Sequence, residues 1–360
     1  MPDDRRLKLR GRRQAPVMLR RAFKAASLSP LARNNTWTSP REFVARFINM
    51  SSDKPISAYK ASVEVPKQKQ ENLPGLDKHM AIPAEHSKVE CWDEDGKPYL
   101  KEYVGSEKLK GKKAIITGGD SGIGRTVTIF FAREGADITV VYLPEEEEDA
   151  KSLESEITKN SSAKILLLPI DLTTQGAAQK VITAHLDKFG AIDILVNNAS
   201  KQIMSSGIEE LKDENILSTF QTNIIQMMQL TRETVPHMKR GAAIINTSSV
   251  VAYKGSSHLL DYSATKGAIT TFTRSLATQL ASKGIRVNAV APGLFYTPLQ
   301  PSSREDNEME GWGLGAVPLH GRVGQPAEIG EAYVLLAGPG GNYITGTVIH
   351  VNGGVHIGGA

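Results

Sequence analysis

A doubly wound α/β fold, with about seven parallel strands and helices on both faces of the sheet, is expected for residues 109–360 of this 360-residue chain. From Lys110 onward, short and largely apolar runs alternate with helical patterns, and the runs are apolar at successive positions rather than at every second one. Strands of that kind bury both faces, as in a parallel sheet covered by helices on each side. Right-handed crossovers then wind the sheet outward from its middle and leave ligand sites at the carboxyl ends of the strands.

The expected strands are Ala114–Thr117, Ile138–Tyr142, Ile165–Ile170, Ile192–Asn197, Ala243–Thr247, Val287–Ala291 and Val348–Val351. Arg125–Glu134 follows the first and Thr174–Phe189 the third, each long enough for a crossover helix. A later helix opens at Tyr262, carries the apolar stripe Ile269, Phe272, Leu276 and Leu280, and ends near Gly284.

Composition narrows the function classes. With 40% hydrophobic and 23% charged residues, disorder of the whole chain is excluded, and 32 Gly and 18 Pro without a short period exclude a collagen-like chain. Cys91 is the sole cysteine, which excludes an internal disulfide and a Cys-rich metal site and fits a reducing compartment. The eight histidines show no paired-ligand spacing, so no metal is expected. No apolar run approaches the roughly 18 residues of a bilayer span, so no membrane attachment is expected.

The net charge of +4 hides an asymmetry. Residues 1–50 hold 12 Lys/Arg against three acids, and the other 310 residues hold 31 basic against 36 acidic groups. The basic balance therefore belongs to the first segment and does not mark the folded body as a nucleic-acid binder. Residues 1–50 form a basic arm, rich in Arg, Ala, Ser and Leu, with the composition of an organellar transit peptide. Asp3 and Asp4 count against that, and a basic tail or a true start at Met50 are the alternatives. The expected compartment is the cytoplasm, or the mitochondrial matrix if 1–49 are a transit peptide. Residues 51–108 hold Pro55, Pro66, Pro74, Pro83 and Pro98 and no sustained period. They read as an extended segment lying on the folded body or a neighbouring subunit, with Trp92, Tyr99 and Tyr103 as candidate anchors.

The first strand runs into Thr117-Gly118-Gly119-Asp120-Ser121-Gly122-Ile123-Gly124 and then a helix. Glycines allow a sharp turn and close approach of backbone to a pyrophosphate, while the helix N-terminus offers free N–H groups and partial positive charge. A triphosphate loop is the rival, but it needs a lysine where Arg125 stands.

Tyr262 and Lys266 are four apart and share a helix face. A phenol with an ordinary pKa of about 10 becomes useful at neutral pH when a neighbouring cation lowers it, and about three units take roughly 4 kcal/mol. Ser249 follows the strand Ala243–Thr247, among the same strand ends. With Asn197-Asn198-Ala199-Ser200, Asn223, Ser248-Ser249 and Ala291-Pro292-Gly293, these segments resemble the short-chain dehydrogenase/reductase family over roughly residues 109–354.

That resemblance implies a Rossmann-type domain and an oxidoreductase that uses NADP or NAD on a small carbonyl or alcohol. Its catalytic residues would be Tyr262 as general acid or base, Ser249 on the carbonyl oxygen, Lys266 tuning Tyr262 and bonding the cofactor ribose, and Asn223 holding a relay water. Its cofactor residues would be the loop positions Thr117, Gly118, Asp120, Ser121, Gly122, Ile123 and Gly124. Asp171 and Leu172 would meet the adenine, Asn197 and Ala199 would flank the ribose, and Pro292, Gly293 and Thr297 would take the nicotinamide end, together with Tyr262 and Lys266. Ser200 stands where the family usually has glycine, and Ser248 is expected to support the turn.

Tyr142-Leu143-Pro144 lacks the acid that commonly marks NAD use, while Glu145–Glu148 follow and Ser121 replaces a basic residue before Gly122, so the choice of NADP or NAD stays open. The acidic run itself reads as a solvated helix start. Leu294–His320 reads as a substrate lid, and His258 as an exposed loop residue. Gln68-x-Gln70, Pro74-Gly75 and Tyr103-Val-Gly-Ser resemble a divergent branch that includes bacterial aldehyde reductases and plant glucose and ribitol dehydrogenase-like proteins, whose arms tie a homotetramer together. The competing readings are a catalytically silent nicotinamide-nucleotide-binding sensor or scaffold, and an epimerase or dehydratase, for which the chain after Tyr262 is too short.

Overall fold

The computed structural model describes residues 55–358; the basic arm lies outside them, and with it the transit-peptide, tail and Met50 expectations. Among the described residues no helix is long and apolar enough to cross a membrane.

A hairpin comes first, β1 (Lys88–Trp92) pairing antiparallel with β2 (Pro98–Glu102). Pro98 sits at the first position of its strand, where a missing N–H does least harm. Seven parallel strands then form one sheet: β3 (Lys113–Thr117), β4 (Asp137–Tyr142), β5 (Ile165–Pro169), β6 (Ile192–Asn197), β7 (Met238–Thr247), β8 (Arg286–Pro292) and β9 (Val348–Val351). Their order is β5-β4-β3-β6-β7-β8-β9. The winding therefore reverses between β3 and β6, and a crevice opens at the carboxyl ends of those two strands.

The helices that matter here are α1 (Gly122–Arg133), α2 (Glu147–Asn160), α3 (Ala177–Phe189), α4 (Asp213–Phe220), α5 (Gln226–Thr234), α6 (Leu260–Leu280) and α7 (Gly330–Ala337). Side chains alternate across a strand. Ala114 and Ile116 of β3 accordingly join the core under α1, α2 and α7, while Ile115 joins the opposite core with α3, α5 and α6. β7 starts five residues earlier than its apolar run suggests, because Lys239, Arg240 and Gly241 are exposed at its entry.

Residues 55–108 pack on the body of their own chain. Tyr103 is buried and stacks on Phe130 of α1 at 3.8 Å between ring centroids, an aromatic pair worth about 1 kcal/mol beyond its area. Its hydroxyl meets the buried Glu134 carboxylate, which also accepts N–H bonds from Ser106 and Lys108. Trp92 and Tyr99 are exposed instead, although Trp92 stacks on His320. Arg322 reaches Glu90 of β1 and Glu328, each at 2.8 Å, and faces the Tyr59 ring. Gln68 donates to the Tyr296 hydroxyl at 2.8 Å, and Tyr296 donates to Ile82 O at 3.0 Å, so the segment Leu294–His320, expected as a lid, is stitched to the N-terminal segment.

Candidate active site

The crevice has a volume of about 470 Å³ and runs from the glycine loop to the start of α6, a size usual for small-molecule and cofactor sites. Gly118 adopts φ +58°, and a Cβ there would stand 3.1 Å from the Cα of Ala199. Gly124 has no room for a Cβ either, since it would overlap the Gly118 carbonyl oxygen. The turn therefore folds back onto the first turn of α1. Thr117 joins the two diverging strands: its Oγ1 accepts from the N–H groups of Asn198 and Ala199 at 2.9 and 3.0 Å.

Lys266 and Tyr262 project from the first turns of α6 toward the end of β7. Lys266 is only 1% exposed, its Nζ donates to Thr247 O at 2.9 Å, and it lies 5.2 Å from the centre of the Tyr262 ring. Burial raises the Tyr262 hydroxyl to about 12, against hydrogen bonds from Ser249 and Ser200 that pull it down. The expected lowering by Lys266 is absent, because burial also pushes that amine down to about 7, where it is only half charged at neutral pH. Ser248 also lines the crevice; its hydroxyl donates to Lys266 O at 3.1 Å and meets Thr270.

The structure brings Ser249, Tyr262 and Lys266 to one wall, and places Gly118, Ser121, Gly122, Ile123, Asp171, Leu172, Ala199, Pro292, Gly293 and Thr297 along the rest of the crevice. Thr117, Gly124, Asp120, Asn197 and Asn223 lie behind its surface. The first two shape the loop. Asp120, expected at the cofactor, is fully buried behind the crevice surface; burial raises its pKa, with Glu146, Asp149 and Asp77 nearby adding to the rise. Asn197 turns its side chain into the fold, where Nδ2 donates to Thr231 and Asn246, and Asn198 lines the crevice beside it. Asn223 sits in a π-helical stretch, Gln221–Ile225, between α4 and α5. Its amide donates to Lys201 O and Thr265 and accepts from Lys201 N–H, so the side chain is fully engaged by protein.

The acidic run departs from its expected solvation. Glu146 is buried and lines the crevice, with its pKa raised to about 7 by burial, against a hydrogen bond from Leu143 N–H that lowers it. Arg125 is spent inward, donating to Asp120 O and Asp149 O and to Ser152, so it is no surface charge and no wall of the crevice. His258 is exposed, as expected. Three contributors were not read from the sequence. Ser200 faces Tyr262 and bonds Asn223, while Leu73 and Pro74 of the N-terminal segment line the crevice. Ser200 in place of the family's usual glycine is a visible departure; nothing local marks Leu73.

These residues fit a nicotinamide dinucleotide: a glycine cradle too tight for side chains, a helix N-terminus, and a phenol and an amine at the far end. Residues 118–356 match the family model described as Enoyl-(Acyl carrier protein) reductase. The chain is 47% identical over 261 residues to NADPH-dependent aldehyde reductase 1, chloroplastic, of Arabidopsis thaliana, covering 71% of this chain and 90% of that protein. It is 42% identical over 300 residues to glucose and ribitol dehydrogenase of Daucus carota, covering 82% and 98%. A short-chain dehydrogenase from Burkholderia cenocepacia J2315, crystallised in complex with NADP, superposes with a TM-score of 0.63 at 26% identity, over 69% of this chain and 99% of that one.

Proposed function

Because the chain belongs to the short-chain dehydrogenase/reductase family and is thereby an NAD(P)-dependent oxidoreductase, we propose that it interconverts a small carbonyl and its alcohol, with Tyr262 as the proton-transfer residue. The observation that carries this is the meeting of Tyr262, Ser249 and Lys266 on one wall of a crevice whose other end is the glycine loop. The bound nicotinamide supplies or accepts the hydride.

The chain's own groups handle the oxygen and its proton. Ser249, at the end of β7, offers a hydroxyl to the substrate oxygen beside the phenol. With its pKa near 12, Tyr262 holds its proton at neutral pH, the state that reduction requires, and releases it as charge builds on the carbonyl oxygen. Lys266, near 7, takes and returns protons with little driving force in either direction, which suits an amine that resets the phenol. Oxidation requires the phenol to lose its proton first, so the same groups favour reduction near neutrality. Asn223 positions the Lys201 backbone and Thr265, and its π-helical turn leaves carbonyl groups outside the regular ladder, where a relay water finds acceptors.

An aldehyde is the substrate class that the relatives favour, with sugars and polyols next. The test is a steady-state screen of small aldehydes, sugars and polyols with NADPH and NADH, on wild type and Tyr262→Phe. Turnover by wild type, lost in Tyr262→Phe while dinucleotide binding persists, is the expected result. Tight binding with no turnover across the panel would make the chain a nucleotide sensor instead.

A further inference from the structure

The N-terminal segment sends one loop, Gln70–Asp77, into the crevice, and that loop is held from every side. The Gln70 side chain closes it, accepting from Leu76 N–H at 2.7 Å and donating to Leu76 O at 3.0 Å. Its tip, Leu73-Pro74, forms part of the crevice wall together with Gly122, Thr297 and Pro298. Asp77 Oδ2 accepts the N–H of Gly122, the first residue of α1, at 2.8 Å. Asp77 N–H donates to Asp149 Oδ2 of α2 at 2.7 Å. On the lid side, Ser302 Oγ donates to Pro74 O and Gln70 N–H to Pro301 O, both at 2.9 Å. Gly75, at φ +88°, lies so close to the lid helix Leu299–Ser303 that a Cβ would come within 2.8 Å of Pro298 O.

The loop therefore bridges the glycine loop and the lid, and presents two apolar side chains to the space between them. Asp77 stays ionised in this setting: burial raises its pKa, but His86 at 3.2 Å, Arg125 and the Gly122 N–H outweigh that and hold it below the usual carboxylate range. An acid fixed on one N–H of the helix start is a pin for the loop, and an apolar tip beside it is a cover that keeps water from a charged ligand.

We propose that this loop is a wall of the cofactor site, with Leu73 and Pro74 covering the stretch of dinucleotide between the glycine loop and Thr297. Asp77 is the positioning residue that pins the cover to Gly122. The inference rests on the reading of the crevice as the nicotinamide dinucleotide site.

The test titrates NADPH and NADH into the full chain and into three variants, Leu73→Ala with Pro74→Ala, Asp77→Ala, and Asp77→Asn, following nicotinamide fluorescence. The matching fragment that lacks the nicotinamide half, adenosine 2′,5′-bisphosphate or 5′-AMP, is titrated in parallel by calorimetry. The double variant and Asp77→Ala are expected to bind the dinucleotide about tenfold more weakly, equivalent to about 1.4 kcal/mol, while the fragment binds as to wild type. Asp77→Asn keeps an oxygen acceptor for Gly122 and is expected to stay within about threefold of wild type. Unchanged dinucleotide affinity in the double variant overturns the proposal, as does an equal loss of dinucleotide and fragment, which marks general damage. Tighter binding by Asp77→Ala overturns it too, since the carboxylate would then compete with the cofactor's phosphates. Wild-type protein that binds neither dinucleotide overturns the underlying reading, and this inference with it.

Discussion

Replacing Lys266 by methionine should make the protein more stable near neutral pH while removing its activity. Burial depresses the amine from 10.5 to about 7, and about 3.5 units at about 1.36 kcal/mol each is roughly 4 to 5 kcal/mol. The denatured chain keeps its proton up to about pH 10, the folded chain only to about 7, so between those values the denatured state holds more protons and stability rises with pH. The cost is absent above the ordinary lysine value, grows as pH falls through the window, and is complete below about 7. Methionine fills the same unbranched volume without a charge. Against that gain, the variant leaves Thr247 O, which accepts from Nζ at 2.9 Å, without its donor, a loss of about 2 kcal/mol. The net expectation is a variant about 2 kcal/mol more stable than wild type near pH 7, with the advantage gone at about pH 9 and reversed above it. Urea unfolding of both proteins across that range, in the absence of added dinucleotide and with equal m-values, measures the difference. A variant less stable than wild type near pH 7, or a gap that does not change with pH, would refute the account of Lys266 as a charge held against its burial.

Gly124→Ala forces a Cβ against the backbone carbonyl of Gly118, an obstacle that cannot rotate away, and is expected to cost about 3 kcal/mol in thermal unfolding and to weaken dinucleotide binding; a wild-type melting curve would show that the loop yields. Arg322→Met removes the cation between Glu90 and Glu328, leaves a buried carboxylate unpaired, and should cost about 3 to 5 kcal/mol. Limited proteolysis is expected to release residues 55–108 first, and cleavage elsewhere before that segment would count against Arg322 as its clasp.

What could be read from the sequence was local. The inner strands β3, β4, β6, β7 and β8 announce themselves because both faces of each are largely buried, so hydrophobic residues run consecutively and no partner need be known, while the edge strands β5 and β9 are only half-buried yet keep the same apolar run. Tyr262 and Lys266 are one helical turn apart, and the glycines of the loop are adjacent to the strand and helix that need them. The acidic run marks the limit: Glu145 to Glu148 look alike in sequence, and only the tight turn Pro144–Glu146, where Leu143 N–H holds the Glu146 carboxylate, and the first turn of α2 that follows bring Glu146 and Asp149 inward while Glu145 and Glu148 stay in water. The inward side chains of Asp120 and Asn197 have the same origin, because a residue inside a recognised motif is as readily a support of the motif as a contact of its ligand.

The N-terminal segment was illegible for a different reason. Its contacts pair residues far apart in the chain: Asp77 with Gly122, Gln68 with Tyr296, Glu90 with Arg322. It buries side chains in short groups broken by prolines, such as Tyr59, Ala61, Ser62 and Val65 between Pro55 and Pro66, so no period of 3.6 or 2 is sustained along it. Each contact is worth little to a segment that would be costly to order alone. Tyr103, Ser106 and Lys108 anchor it on Phe130 and Glu134 at the far end of α1, and Glu90 on Arg322, away from the crevice. The loop Gln70–Asp77 differs, because its anchors end on the start of α1 and on the helix Leu299–Ser303, so the energy which orders this loop also holds the glycine loop and that helix relative to each other. Cofactor affinity and the integrity of this loop should therefore fall together when either is weakened.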